Sequence, residues 1–179
     1  MSRTMRLFLF FGLMVLQWAI PGKMLLSRQE VLEKGTLFRF ETRPFDPVDP
    51  FRGKYITLNF AHERVYNKAA DSLWKENPRV FLRFKTDAQG FARIASVSKK
   101  RPESVTDYLE AELQSTYGDS MEVSFPFNRF YMEEFKAGPA ERTFRELQGK
   151  KGIKTWAEVR IFEGEAVLTD VKIQGKSLK

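Results

Sequence analysis

The sequence predicts a mainly β protein: an antiparallel β sandwich or small barrel with one short helix, preceded by an N-terminal transmembrane or juxtamembrane helix. Three observations support this fold class. An apolar run occupies the N-terminal 26 residues, apolar and polar side chains alternate with a period of two after residue 35, and glycine-containing turns separate the alternating stretches. Period-two alternation is typical of half-buried strands, so we expect a helix followed by a β domain.

Length and composition limit the classes of protein to consider. A chain of 179 residues is long enough for one domain with a hydrophobic core and too short for two comfortable ones. It contains no cysteine, which excludes disulfides, thiolate metal sites and cysteine nucleophiles. The net charge of +7 would suit an anionic partner, but the 30 Lys and Arg residues are spread along the chain. We therefore expect no nucleic-acid partner.

The N-terminus resembles an export signal. Arg3 and Arg6 precede an almost unbroken apolar run over residues 7–20, which would span about 21 Å as a helix, less than a hydrocarbon core of about 30 Å. Extending the run to residue 26 adds only one charge, Lys23, and no good cleavage site follows the run. We therefore expect residues 7–26 to form an uncleaved membrane anchor and not a cleaved signal peptide.

The positive-inside rule then orients the chain. Residues 1–6 form a cytoplasmic tail, and residues 36–179 form an exported β domain on the periplasmic or outer side of the cytoplasmic membrane. The predicted protein is single-pass, with its N-terminus inside.

Residues 27–35 are predicted to form a juxtamembrane helix. Ser27 and Glu30 have the spacing of a capping box, and Gly35 is placed as a C-terminal stop. The alternative is one long helix that passes through Pro21, in which Ser27 is a surface residue. Both alternatives place a helical stalk between the membrane and the domain.

Alternating segments define the strands of the domain. Two single strands are predicted over residues 36–42 and 55–60, and three hairpins over residues 79–98, 107–127 and 155–175, the last turning at Glu163 and Gly164. The segment 107–127 is rich in Leu and Glu, which favour helices, but its apolar and polar residues alternate strictly. Residues 139–150 are predicted to form one short helix, giving about seven or eight strands in total.

A proline occupies every third position of "RPFDPVDPFR", residues 43–52. In a polyproline II conformation, which has three residues per turn, the Phe-Val-Phe edge would dock on the sheet while Asp46 and Asp49 face water. Their backbones would stand about 9 Å apart. That distance is too long to chelate one Ca²⁺ ion but is near the upper end of the carboxylate separation in inverting glycosidases. We expect a rigid connector and no metal, with an acid and base pair as the alternative.

Three segments resemble the GDYXXLXY family of small membrane-anchored bacterial proteins. They are "GKYITLNF" preceded by "PFDPVDPFR", then "NRFYMEE" over residues 128–134, and "AVLTDVKIQGKSL" over residues 166–178. Lys54 stands where the family name has Asp, and Phe60 where it has the final Tyr, which indicates structural roles for both positions. The resemblance implies no activity and no cofactor. It implies an exported protein often encoded beside polytopic membrane proteins, and hence a polytopic membrane protein as partner.

The predicted family-motif and interaction residues combine the segment around the third proline with the "NRFYMEE" segment. They are Asp46, Asp49, Arg52, Gly53, Tyr55, Leu58, Phe60, Arg129, Phe130, Tyr131 and Glu133. In the second segment, aromatic faces and both charge signs suit a recognition surface. The alternative is that Phe127 and Phe130 fill the core.

Catalytic motifs are weak. The single His62 has no Gly-x-Ser-x-Gly partner, and the two Ser-x-x-Lys matches lack their companion motifs. We predict no catalytic, cofactor-binding or metal-binding residue. The expected function is a non-enzymatic accessory or binding protein. The alternatives are an envelope hydrolase acting on glycan or peptide, and a domain that binds an anionic polymer or lipid.

Overall fold

The computed structural model describes residues 3–43, 55–61, 63–66, 78–131 and 154–177. These residues form one helix and twelve strands, of which seven strands have five or more residues. The elements are α1 Arg3–Lys34, β1 Thr36–Arg43, β2 Tyr55–Thr57, β3 Asn59–Phe60, β4 Arg64–Tyr66, β5 Arg79–Thr86, β6 Ala92–Ser98, β7 Tyr108–Tyr117, β8 Ser120–Ser124, β9 Arg129–Tyr131, β10 Thr155–Phe162, β11 Glu165–Ile173 and β12 Lys176–Ser177. Three of the five short strands, β4, β9 and β12, were not predicted, because two or three residues are too few to give a period-two signal in the sequence.

The described residues of the domain form two five-stranded antiparallel sheets and a separate two-stranded ribbon. One sheet has the order β12-β11-β10-β1-β3, the other has the order β4-β8-β7-β5-β6, and β2 pairs with β9. A single hydrophobic cluster contains residues of both five-stranded sheets, such as Phe40 and Val159 from the first and Leu82 and Val123 from the second. The mainly β, antiparallel fold predicted from the sequence is therefore confirmed.

Helix α1 is continuous, so the structure has the long helix and not the separate juxtamembrane helix. Pro21 lies inside α1, and Ser27 is an interior residue of the helix. The predicted capping box is therefore not formed, because the backbone of the apolar segment continues directly into the following turns. Gly35 follows the last helical residue as expected, and its amide donates to the carbonyl oxygen of Val31 at 2.9 Å.

The three predicted hairpins are confirmed as β5–β6, β7–β8 and β10–β11. In the last hairpin, Glu163 and Gly164 have φ angles of 47° and 92°, as a type I′ turn requires. In β7, the alternating residues Leu109, Ala111 and Leu113 are buried. Burial of one strand face has overridden the helical propensity of Leu and Glu at this site.

The segment predicted as one strand over residues 55–60 is two strands. The chain exchanges its partner at Leu58: β2 pairs with β9, and β3 pairs with β1. Leu58 and Phe60 are buried and Asn59 is exposed, so the faces alternate from the break at Leu58 to the end of β3. Alternation reports which face of the strand is buried and contains no information about the hydrogen-bonding partner, which explains the incorrect prediction.

Two further predictions lie outside the described residues. They are the polyproline arm from residue 44 onward and the short helix over residues 139–150.

Candidate functional site

The structure brings two distant parts of the predicted motif together as the β2–β9 ribbon. The two strands are antiparallel, with Tyr55 opposite Tyr131 and Thr57 opposite Arg129. Beyond the ribbon, the amide of Leu58 donates to the carbonyl oxygen of Asn128 at 2.8 Å, extending the pairing by one bond. The "YITLNF" and "NRFY" segments therefore form one structural unit.

Three apolar residues of this unit lie in the hydrophobic core. Leu58 and Phe60 are each 1% exposed, and Phe130 is 3% exposed. The ring of Phe60 packs against the rings of Phe125 and Phe127, with centroids 5.5 and 5.3 Å apart. Side chains buried to this extent hold the ribbon against the sheets and cannot contact a ligand at the surface.

The predicted recognition surface divides between the two sides of β9. Phe130 points into the core, whereas the neighbouring Arg129 is exposed, as expected for successive residues of a strand. Tyr55 and Tyr131 are located by their strand pairing. The remaining predicted site residues lie outside the described residues: Asp46, Asp49, Arg52, Gly53 and Glu133.

A cleft of about 580 Å³ lies between α1 and the two sheets. Helix α1 supplies one wall with Met24, Ser27 and Arg28. The opposite wall comes from β5, β7, β8 and the turn and strand that follow β10. The polar residues of that wall are Arg79, Glu110, Glu112, Ser124 and Glu165.

The end of α1 is fastened to the β10–β11 hairpin, and this contact forms the cleft. Val31 is 2% exposed, and the Ser27 hydroxyl donates to the Glu165 carboxylate at 2.6 Å. The Arg160 guanidinium donates to the carbonyl oxygen of Gly35 at 2.9 Å. A Cβ atom added at Gly35 would overlap the carbonyl oxygen of Val31. The backbone approaches so closely here that only glycine fits.

Among the described residues that line the cleft, acidic side chains exceed basic ones, although the whole chain carries a net charge of +7. The lining contains three carboxylates and two guanidinium groups. The two guanidinium groups belong to Arg28 and Arg79, and the three carboxylates to Glu110, Glu112 and Glu165. The described lining of the cleft therefore carries a net charge of −1 within a basic protein.

The charged groups of the cleft differ in their pairing. Arg79 lies 3.4 Å from Glu110 across the β5–β7 pair, and Glu165 accepts the hydrogen bond from Ser27. Within the described part of the chain, Arg28 and Glu112 form no ion pair or side-chain hydrogen bond. One free cation and one free anion therefore line the same cleft.

The buried residues Thr42, Thr155 and Glu158 form polar contacts with structural roles in the first sheet. Thr42 and Thr155 are buried, and their hydroxyl oxygens are 2.6 Å apart. The carboxylate of Glu158 accepts a hydrogen bond of 2.9 Å from the ammonium group of Lys172 and lies 3.5 Å from the guanidinium of Arg39. These contacts join neighbouring strands of the first sheet, and their partners satisfy the polar atoms that folding buries.

Two carboxyl groups have shifted pKa values. The carboxylate of Asp87 accepts hydrogen bonds from the backbone amides of Phe91 and Gln89, each at 2.9 Å. It also accepts a hydrogen bond of 2.7 Å from the guanidinium of Arg93. The Phe91 amide, followed by Arg93 and the Gln89 amide, lowers the pKa of Asp87. Burial raises the pKa of Glu63. Asp87 organises the β5–β6 turn, and Glu63 lies beside the edge strand β4.

No metal site is found among the described residues, which contain no group of three or more His, Cys, Asp and Glu side chains that could hold a metal ion. The single His62 lies outside them. The expected absence of a metal stays a prediction.

The cleft was not predicted from the sequence. The alternation in residues 107–127 indicated that Glu110 and Glu112 face outward, and Ser27 was interpreted either as a helix cap or as a surface residue of one long helix. The signal that could have helped was the high density of Glu on the polar face of β7 and after the Glu163 turn. Which helix lies over that face depends on contacts between residues more than 80 positions apart, which no local pattern encodes.

The fold and the cleft define a class of protein: an antiparallel two-sheet β domain fastened to the end of one long apolar helix. The helix is long and apolar enough to cross a membrane, and none of the residues in its most apolar stretch is buried.

A family model described as GDYXXLXY protein matches residues 17–171, and the chain belongs to this family. The match covers most of the chain and confirms the resemblance identified from the motif segments. No curated protein and no solved structure matches the chain.

Proposed function

We propose that this protein is a non-enzymatic, membrane-anchored accessory or binding protein. Helix α1 holds it in the cytoplasmic membrane with the N-terminus inside. The β domain lies on the outer side of that membrane and partners a polytopic membrane protein.

The exposed apolar surface of α1 supports the anchoring. Large apolar side chains are exposed all along the helix, including Phe8 at 78%, Trp18 at 72% and Leu25 at 72%. An apolar surface of this extent is unstable in water and requires lipid or protein to cover it. At about 1.5 Å per residue, the 20 residues from 7 to 26 match a hydrocarbon core of about 30 Å.

The rigid junction between α1 and the domain is the observation that carries the proposal. The helix passes directly into β1 with Gly35 as the single residue between them. Val31, Ser27 and Gly35 fasten its last turns to the β10–β11 hairpin. A domain attached in this way has a fixed height and orientation at the membrane surface. That geometry suits a protein that presents one surface to a partner in the same membrane.

The motif residues also favour a structural role over a catalytic one. Leu58, Phe60 and Phe130 are core residues, so these motif positions maintain the β2–β9 ribbon. The hydrolase alternative depends on Asp46 and Asp49, which lie outside the described residues, or on the Ser-x-x-Lys pairs, which lack their companion motifs. The anionic-polymer alternative depends on the excess positive charge, which is dispersed along the chain.

Site-specific crosslinking in cells tests the partner. A photo-reactive amino acid is placed at Asn59, which is exposed in β3 beside the ribbon, and at Arg83, exposed in β5 of the other sheet, as the matched control. Mass spectrometry of the membrane fraction should identify one polytopic protein, repeatedly crosslinked when the photo-reactive residue is at one of these positions and not when it is at the other. Recovery of self-crosslinks alone, or of the same mixture from both positions, would contradict the proposal.

The lack of cysteine makes the topology directly measurable. Single cysteines replace Ser2 and the exposed Ser104, and no background thiol is present. A membrane-impermeant maleimide added to intact spheroplasts should label the cysteine at position 104 and leave the one at position 2 unlabelled. The reverse pattern would refute the proposed orientation.

A further inference from the structure

We propose, building on the anchoring of α1 proposed above, that the cleft between α1 and the β domain binds the headgroup of an aminophospholipid. The ligand class is a phosphodiester joined to a primary ammonium group. The acyl chains would remain in the bilayer beside the apolar part of α1.

The position of the cleft along α1 places it at the membrane surface. Its helical wall consists of Met24, Ser27 and Arg28, at the end of the 20-residue apolar segment 7–26. Because that segment is as long as the hydrocarbon core is thick, Ser27 and Arg28 reach the headgroup layer. The cleft then opens where phospholipid headgroups are most concentrated.

The two unpaired charges define the chemistry of the ligand. Arg28 can donate paired hydrogen bonds to phosphate oxygens, and Glu112 can accept from an ammonium group. Both side chains line the same cleft, and neither has another charged partner among the described residues. Inorganic phosphate would pair only with the guanidinium of Arg28 and would leave the carboxylate of Glu112 unpaired. A zwitterionic headgroup would pair with both, its phosphate with Arg28 and its ammonium with Glu112.

The rest of the lining selects against the other common headgroups. A quaternary choline group is typically recognised by a cage of aromatic rings, and the described residues that line the cleft include no aromatic side chain. An anionic headgroup without an amine would face three carboxylates and only two guanidinium groups among the described lining residues. The net negative lining therefore favours the headgroup that carries an ammonium.

The walls of the cleft are held in place before any ligand binds. The Ser27 to Glu165 hydrogen bond fixes the helix to β11 at 2.6 Å, and the ion pair between Arg79 and Glu110 joins β5 to β7 at 3.4 Å. The volume of about 580 Å³ falls within the range of about 300–1,000 Å³ that is usual for small-ligand sites. A headgroup can enter without rearrangement of the sheets.

Native mass spectrometry of the full-length protein tests the proposal. The protein in detergent micelles is mixed with equal amounts of phosphatidylethanolamine, phosphatidylcholine and phosphatidylglycerol with identical acyl chains. We expect retained phosphatidylethanolamine to exceed each of the others by about tenfold or more. Arg28→Gln and Glu112→Gln should each reduce that retention by about tenfold, the effect of losing one charged hydrogen bond.

Matched substitutions outside the cleft provide the control. Arg83→Gln and Glu103→Gln remove the same charges from exposed positions and should leave retention unchanged. Competition with soluble phosphoethanolamine separates headgroup recognition from binding along the helix. It should displace the lipid from the wild-type protein.

Several results would overturn the assignment. Equal retention of the three lipids would do so, as would a preference for phosphatidylglycerol. Retention that survives both cleft substitutions would place the lipid on the apolar surface of α1 and not in the cleft. The assay uses isolated protein, so it is independent of the crosslinking search for a partner. Release of the protein from membranes by alkaline carbonate would refute the anchor separately.

Discussion

Replacing Phe40 by leucine would remove one ring from the middle of an aromatic cluster. Phe40 in β1 is 4% exposed, and its ring contacts four others, with centroids 5.1 to 5.9 Å away. The four partners come from both five-stranded sheets and the segment that leads into β9. They are Phe60, Phe84, Phe125 and Phe127.

The expected loss of stability follows from the number of ring contacts. One aromatic pair contributes about 0.5–1.5 kcal/mol beyond the burial of its area, so four pairs would contribute about 2–6 kcal/mol. Because the four rings also contact one another, the contributions are not additive, and we expect Phe40→Leu to cost about 2–4 kcal/mol. In a protein of this size, that loss lowers the unfolding midpoint by about 4–16 °C.

Phe130 offers a matched control for the same substitution. It is 3% exposed, but its ring forms no aromatic pair with a described residue. Phe130→Leu should therefore cost only about 1–1.5 kcal/mol, the usual range for a hydrophobic replacement of similar size. The two variants differ in ring contacts and hardly at all in burial.

Guanidinium unfolding of the full-length protein in detergent, followed by tryptophan fluorescence, measures both values. Trp156 in β10 packs against Phe91 at 6.1 Å and should report the loss of the sheet structure. Equal losses for Phe40→Leu and Phe130→Leu, within about 0.5 kcal/mol, would refute the reasoning. Burial alone would then account for the stability of the aromatic cluster.

Three further substitutions test the helix junction, a buried hydroxyl pair and a turn. Gly35→Ala should destabilise the protein by about 1–3 kcal/mol, because the added Cβ overlaps the carbonyl oxygen of Val31; thermal unfolding in detergent measures the change. Thr42→Val should cost about 1–3 kcal/mol by leaving the buried Thr155 hydroxyl unpaired, and adding Thr155→Val should restore most of the loss, as denaturant midpoints would report. Asp87→Asn should lower the unfolding midpoint at pH 7, because the hydrogen bonds to its carboxylate lower the pKa of Asp87 below the ordinary value of 3.8. The carboxylate contributes stability above that value and loses it as the pH falls through the lowered pKa, so midpoints measured against pH should converge in acid.

Each of these predictions has a result that would contradict it. Gly12→Ala is the control for the junction, since no atom lies within 4 Å of a Cβ added there, and equal effects of the two glycine substitutions would exclude the proposed overlap. Additive losses in the threonine double variant would show that the hydroxyls do not depend on each other. A constant difference between Asp87→Asn and the parent from pH 7 to pH 2 would mean that the ionised carboxylate is not the stabilising species.

Five of the seven longer strands, β1, β5, β7, β8 and β10, were predictable because their buried and less buried residues largely alternate along the chain. In β1, Phe38 and Phe40 are buried on one face while Arg39 lies on the other, and a period of two appears within a few residues. The β10–β11 turn was predictable for the same reason, since Glu163 and Gly164 supply the backbone conformation that the turn needs. Such patterns depend only on residues close together in the sequence, so they can be recognised without knowing any long-range contact.

The partner of each short strand could not be predicted in this way. Residues 55–60 alternate without interruption, yet Leu58 separates a strand paired with β9 from one paired with β1. A similar limit applied to the helix, where the spacing of Ser27 and Glu30 was compatible with a cap and with an interior turn. The decision depended on Glu165 and Arg160, whose side chains reach α1 and Gly35 only in the folded domain.

The sequence by itself determined the apolar helix, the antiparallel β class and the family, because composition, periodicity and motif strings are properties of the chain alone. Tertiary structure decided that α1 is one rigid element fastened to the β10–β11 hairpin, and that Arg28 and Glu112 share a cleft. The physical reason is the range of the interactions. Alternation records the burial of single residues, whereas a cleft exists only where segments distant in the chain meet and leave two charges facing the same space.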